Sequence, residues 1–247
     1  MPHHEEQQTR RDFVKYTFFK VDPKWRAPAR YDFVGPEISE NRPSPAKMKA
    51  EFAAVLDEFS GRVDVSSYSL VGTRGDADLM LWMVSPALEA INELAAQLNR
   101  TALAPFLSTP YSYLAMTRRS PYVVNHRHEG QEGTSSTMRM VGRKYLFVYP
   151  FVKTHDWYQL PKEERQELMN EHFVIGHKYP DVKISTAYSF GLDDQEFVLG
   201  FETDDPSNFL DLVMELRESK ARPYTLLDTP IFSCISKPIA ACLDDLG

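Results

Sequence analysis

Cysteine is scarce in this chain: Cys234 and Cys242 are the only two in 247 residues. That excludes a disulfide scaffold, and the pair lacks the spacing of a zinc site. No apolar run approaches the roughly 18 residues that a membrane-spanning helix needs. The start, MPHHEEQQTRRDF, has no apolar core of the kind a secretory signal carries. Basic charge is also short, with 28 Lys and Arg against 35 Asp and Glu and a net charge of −7. A protein built around binding a nucleic-acid backbone is therefore not expected. Phosphate-binding glycine loops, GxSxG, HExxH and CxxC are all missing. What remains is a cytoplasmic globular protein without a membrane span, 43% hydrophobic and able to bury a sizeable core.

What is present is a repeat. Val71-Gly72 before Asp76-Ala77-Asp78 recurs as Phe190-Gly191 before Asp193-Asp194. Pro86 in SPALEAINEL recurs as Pro206 in DPSNFLDLVMEL, and Thr109-Pro110 recurs as Thr229-Pro230. Three matches in one order, at offsets of 118–120, point to two copies of one unit. Periodicity agrees with this. Residues 13–21 alternate as a strand, and Met48, Phe52, Val55, Leu56 and Phe59 fall at helical spacing behind Ser44-Pro45. Strands at 63–71 and 78–84, a helix from Leu88 to Leu98 and a strand at 111–117 complete the first copy. The second copy repeats the order as strand 144–153, helix 161–176, strands 182–190 and 195–203, helix 206–220 and strand 230–236. The expectation is an α+β protein of two tandem ferredoxin-like βαββαβ units, of the dimeric α/β-barrel type. The units span 1–118 and 142–247, with a polar linker over 119–141.

The chemistry points to the second unit. In the helix LPKEERQELMNEHFVIG, His172 shares a face with Leu168 and Ile175, and Lys162, Arg165, Gln166 and Asn170 are placed opposite. His172 is thus either a hydrogen-bonded core histidine or a ligand to a metal or heme iron. Alternation along KYLFVYPFVK puts Tyr149, Phe151 and Lys153 on one face. A phenol and an ammonium on a strand's buried side suggest a pocket holding something polar or anionic. Pro150 removes one ladder donor, which marks an edge strand or a local irregularity. Aligning the copies puts Phe18 or Phe19 near Tyr149, and Phe52 or Val55 near His172.

The run KYLFVYPFVKTHDWYQLPKEERQELMNEHFVIGHKYPDV, with SFGLDDQEFVLGFETDDP after it, resembles the chlorite dismutase superfamily, above all its coproheme-decarboxylating branch. The resemblance is strong over roughly 142–236, weaker over 12–118 and absent from the linker. It implies His172 as the proximal heme-iron ligand and Tyr149 as a radical-forming tyrosine. It further implies Lys153 and Arg222 beside propionates, and Trp157 lining the pocket. The implied reaction is peroxide-dependent decarboxylation of coproheme to heme b, the last step of a heme biosynthesis route. A homopentamer and a ferrochelatase partner are implied with it. The match departs on the strand after the proximal helix. Ile184-Ser185 stand where chlorite-decomposing relatives carry a distal arginine, and a distal glutamine is missing too. His126 and His128 in the linker are the candidates for a distal base. The alternatives are a chlorite dismutase or peroxidase-like heme enzyme, and a non-enzymatic heme-binding protein.

Overall fold

Residues 11–26, 43–122, 138 and 140–247 are described by the computed structural model. Strand β1 (Phe13–Val21) is followed by helix α1 (Pro45–Glu58). Ser44 caps that helix by accepting from the Lys47 N–H, and Pro45 takes the first turn, where a missing N–H costs nothing. Then come β2 (Asp64–Ser69), β3 (Leu79–Ser85), α2 (Leu88–Leu98) and β4 (Leu107–Met116). The order repeats as β5 (Tyr145–Lys153), a short α3 (His155–Gln159), α4 (Lys162–Gly176), β6 (Lys183–Tyr188), β7 (Phe197–Thr203) and α5 (Pro206–Glu218). The eighth position is split into β8 (Thr225–Leu227) and β9 (Phe232–Ser236), and α6 (Ile239–Asp245) ends the described chain.

The strands run β7-β6-β4-β1-β3-β2-β9-β5, and β5 pairs back onto β7, so the sheet closes. Within it, β4-β1-β3-β2 and β9-β5-β7-β6 each have the ferredoxin-like order. The two quartets are stitched by Met116↔Tyr188 on one side and by Tyr68↔Ser236 and Ser69↔Ile235 on the other. Closure removes the exposed edges that open sheets must protect. Every second residue then points inward. Tyr16, Phe18, Trp82, Leu146, Val148 and Phe232 fill the barrel, and all are fully buried.

The alternate residues point outward and need cover. Over β1–β4 they pack under α1 and α2, with Met48, Phe52, Ile91 and Leu94 in one core. Helix α6 joins that same core through Cys242, Leu243 and Leu246, although it follows the second quartet in sequence. Over β5, β7 and β9 the outer layer is thinner: Phe147, Phe201, Phe209 and Leu212 pack closely, while α4 buries no residue at all. That unfilled space holds the site.

Two expectations are narrowed at β5. Of the two readings of Pro150, the local irregularity holds and the edge does not, because β5 pairs with β7 from Tyr145 to Phe151 and with β9 and β8 on its other side. It sits where β9 has ended at Val148 and β8 has not begun until Val152, so no strand faces it there. Of the two first-copy residues expected near the place of Tyr149, Phe18 points into the barrel core, while Phe19 faces the outer layer as Tyr149 does.

Candidate heme site

A cavity of about 1050 Å³ lies between the outer face of β5–β7–β6 and helix α4. That is the upper end of the range for small-molecule sites, so the space suits a large ligand. Tyr149, Lys153, Trp157, His172 and Arg222 all border it. Five residues from four elements are thus brought together.

Strand β5 supplies Tyr149 and Lys153, two pleats apart on one face. Tyr149 is 8% exposed and stacks on Phe201 with ring centroids 5.5 Å apart and planes at 14°. Burial raises its phenol pKa well above the usual value, and the Asp228 carboxylate raises it further, against the Arg217 and Arg222 cations. The neutral phenol is therefore the resting form. Asp228 is held by both arginines, at 2.8 Å from Arg217 and 2.7 Å from Arg222. A 3-10 turn at Arg222–Tyr224 presents Arg222, and the Thr154 N–H anchors that turn by donating to the Tyr224 carbonyl at 3.0 Å.

Lys153 places its ammonium 4.2 Å from the centroid of the Trp157 ring. Its Nζ makes no hydrogen bond or ion pair among the described residues. Burial lowers its pKa to about 8, with Glu196 pulling upward and Arg222 downward. Helix α3 carries Trp157, 3% exposed, wedged between Tyr122 and Tyr224.

Helix α4 supplies His172. His172 borders the cavity and is partly buried; desolvation lowers its pKa to about 4, and the Lys153 charge adds to this. At neutral pH the imidazole is uncharged and its lone pair is available, the form that binds a metal. Among the described residues no three His, Cys, Asp or Glu side chains gather around a common point. A single neutral imidazole facing the cavity suits a metal that brings its other ligands with it, as a porphyrin iron does.

The same helix corrects a face assignment. Arg165 lies two turns before His172, and Arg165, Met169, His172, Phe173 and Gly176 all border the cavity. Arg165 was expected on the opposite face, yet spacing of i and i+7 returns it to the side of His172. Asp228, Arg217 and Glu196 were also missed. Nothing local in sequence marks them, because folding alone brings them to β5. On the opposite wall, Ile184 and Thr186 of β6 border the cavity, and β6 contains no arginine. His126 and His128 lie outside the described residues.

With this geometry in view, the relatives are informative. The Chlorite dismutase family matches residues 45–237. The chain belongs to that family. It is 31% identical over 200 residues to a coproheme decarboxylase of Mycolicibacterium smegmatis, covering 77% of this chain and 84% of that one. A second coproheme decarboxylase, from Staphylococcus carnosus, is 32% identical over 184 residues, covering 70% and 72%. Among solved structures, the chlorite dismutase of Candidatus Nitrospira defluvii in complex with imidazole superposes with a TM-score of 0.80 over 94% of each chain, at 24% identity. A mutant of the same protein gives a TM-score of 0.81 at 23% identity, again over 94% of each chain. These structures establish the shared fold. With the coproheme-decarboxylating relatives they make the chain a heme-related enzyme of the family. No described helix is long and apolar enough to cross a membrane.

Proposed function

We propose that this protein is an oxidoreductase that uses hydrogen peroxide to decarboxylate coproheme to heme b, closing a heme biosynthesis route. The observation that carries the reading is the convergence of a neutral imidazole, a buried phenol and several cations on one large cavity. The donor set fits the ligand: His172 for the iron, with Lys153 and Arg222 for propionate carboxylates. Trp157 forms a wall beside them. Sequence likeness to two coproheme decarboxylases supports the same reading.

Bound coproheme, with peroxide, supplies the oxidising equivalents; the protein supplies positioning and one oxidisable side chain. Tyr149 gives up an electron and its phenolic proton, and the resulting phenoxyl radical takes a hydrogen atom from the β-carbon of a propionate. That propionate loses a second electron, its C–C bond to the carboxylate breaks, and CO2 leaves behind a vinyl group. Each round consumes one peroxide and one proton and releases two waters, and a second round completes heme b. Lys153 and Arg222 hold the reacting carboxylates near Tyr149 and away from water.

In this reading the unit 1–118 is scaffold, 119–141 is a linker and 142–247 is the heme-binding unit. The enzyme works in the cytoplasm as a homopentamer and receives coproheme from a ferrochelatase. A decarboxylase is favoured over a chlorite-decomposing enzyme because Ile184 and Thr186 border the cavity from β6 and that strand carries no arginine there.

The test is titration with ferric coproheme, then peroxide, with mass spectrometry of the porphyrin. Wild type is expected to yield heme b, Tyr149→Phe to bind coproheme without converting it, and His172→Ala to lose the histidine-ligated spectrum. Conversion by Tyr149→Phe at the wild-type rate overturns the radical role, and an unchanged His172→Ala spectrum overturns the ligand.

A further inference from the structure

The cavity-lining cations differ in what already satisfies them. Arg217 and Arg222 share Asp228 at 2.8 and 2.7 Å, and Lys183 donates to the Pro180 carbonyl at 2.9 Å. Among the described residues Arg165 has no such partner. Its Nε is buried without a hydrogen-bond acceptor, and its guanidinium makes no ion pair among the described residues. A buried guanidinium donor left unsatisfied is costly, and an anion entering the cavity beside it removes that cost.

The surroundings fit a flat carboxylate. The guanidinium offers donors in a planar fork, suited to bidentate contact with two oxygens. The wall beside it is aromatic: Tyr158 feels the Arg165 charge, and Tyr122 packs against Trp157 at 6.2 Å. Gln166, the next residue on α4, ties Tyr122 down by donating to its carbonyl at 3.1 Å. Arg165 stands on the face of His172, about 10 Å away along the helix axis. Arg165 lies on the Tyr158 and Tyr122 side of the cavity, whereas Tyr149 stacks on Phe201 by the Asp228–Arg217–Arg222 cluster.

We propose that Arg165 anchors a carboxylate on the porphyrin periphery, and that this carboxylate is one the reaction leaves intact. The inference rests on the coproheme reading and adds a residue to it. Arg165 orients the macrocycle from the helix side, so that the reacting propionates are directed at Tyr149.

The test compares wild type with Arg165→Gln by absorbance titration of three ferric porphyrins. These are coproheme with four carboxylates, heme b with two, and the tetramethyl ester of coproheme with none. The variant is expected to bind coproheme and heme b about tenfold or more weakly and the ester as wild type does. The unloaded variant is expected to melt no lower than wild type, since no protein partner loses a bond. Unchanged affinity for both acids overturns the proposal, as does equal weakening toward all three porphyrins. Weakening toward coproheme alone overturns the assignment to a retained carboxylate. Failure of wild type to bind either acid defeats the coproheme reading, and this proposal falls with it.

Discussion

Lys153 carries a charge that the cavity itself makes conditional. Burial brings its pKa down to about 8, with Glu196 opposing and Arg222 adding to the fall. Below that pH the ammonium is present to attract a carboxylate, and above it the charge is lost. Coproheme affinity is therefore expected to fall as pH rises through about 8, read by absorbance titration between pH 6.5 and 9.5. In Lys153→Met the step near pH 8 is expected to vanish, leaving weaker binding at the low-pH end. The sign for folding runs the other way. The unfolded lysine holds its proton to about 10.5, so between 8 and 10.5 the unloaded fold gains stability with rising pH. Tyr149, Lys153, Trp157, His172 and Arg222 were nameable from sequence because strand alternation, helical spacing and family resemblance each act locally. Asp228 and Glu196 were not, since each reaches the site from a distant segment.

At the scale of elements, β5 works by separating two environments. Leu146 and Val148 face the barrel, while Phe147 and Tyr149 face the outer layer. Phe209 of α5 stacks on Phe147 at 4.1 Å with planes 9° apart, and it meets Phe201 at 5.1 Å. Phe201 in turn stacks on Tyr149. Phe209→Ala is expected to cost about 3–5 kcal/mol by urea unfolding, because a large buried ring leaves a hole. It is also expected to loosen the Tyr149 ring and slow conversion without abolishing it. Helices α1 and α4 show how similar frames diverge. Helix α1 buries Met48, Phe52 and Leu56 against its sheet, whereas α4 turns Arg165, Met169, His172, Phe173 and Gly176 to open space. Both have helical spacing, but spacing reveals a face without revealing whether that face meets side chains or a void.

At the scale of the molecule, the two quartets share one closed barrel. Closure through β4–β6 and β2–β9 leaves neither quartet with its own two edges. Helix α6 reinforces this by crossing back to the first quartet's core, where Leu243 is fully buried and Trp25 donates to the Gly247 carbonyl at 2.8 Å. Leu243→Ala is expected to destabilise the whole fold by about 2–5 kcal/mol. Unfolding followed by tryptophan fluorescence and by circular dichroism is expected to stay coincident, since the quartets share the barrel core; separate transitions would show that they unfold independently. Local pattern determined a good deal by itself: two βαββαβ copies, the faces of β5, and a helix face carrying His172. Those follow from periods of about 2.0 and 3.6 residues, which need only nearby residues to be read. Only the tertiary structure decided that the sheets close into a barrel, that Pro150 lies in a gap and not on an edge, and that Phe18 turns into the barrel, away from the face of Tyr149. It also decided that Arg165 faces the cavity with no ion-pair partner among the described residues. Strand register and the filling of space depend on residues far apart in the chain, and local spacing carries neither. The scarcity of cysteine noted at the outset fits this result, for both thiols are buried in packed cores and neither is bonded to the other.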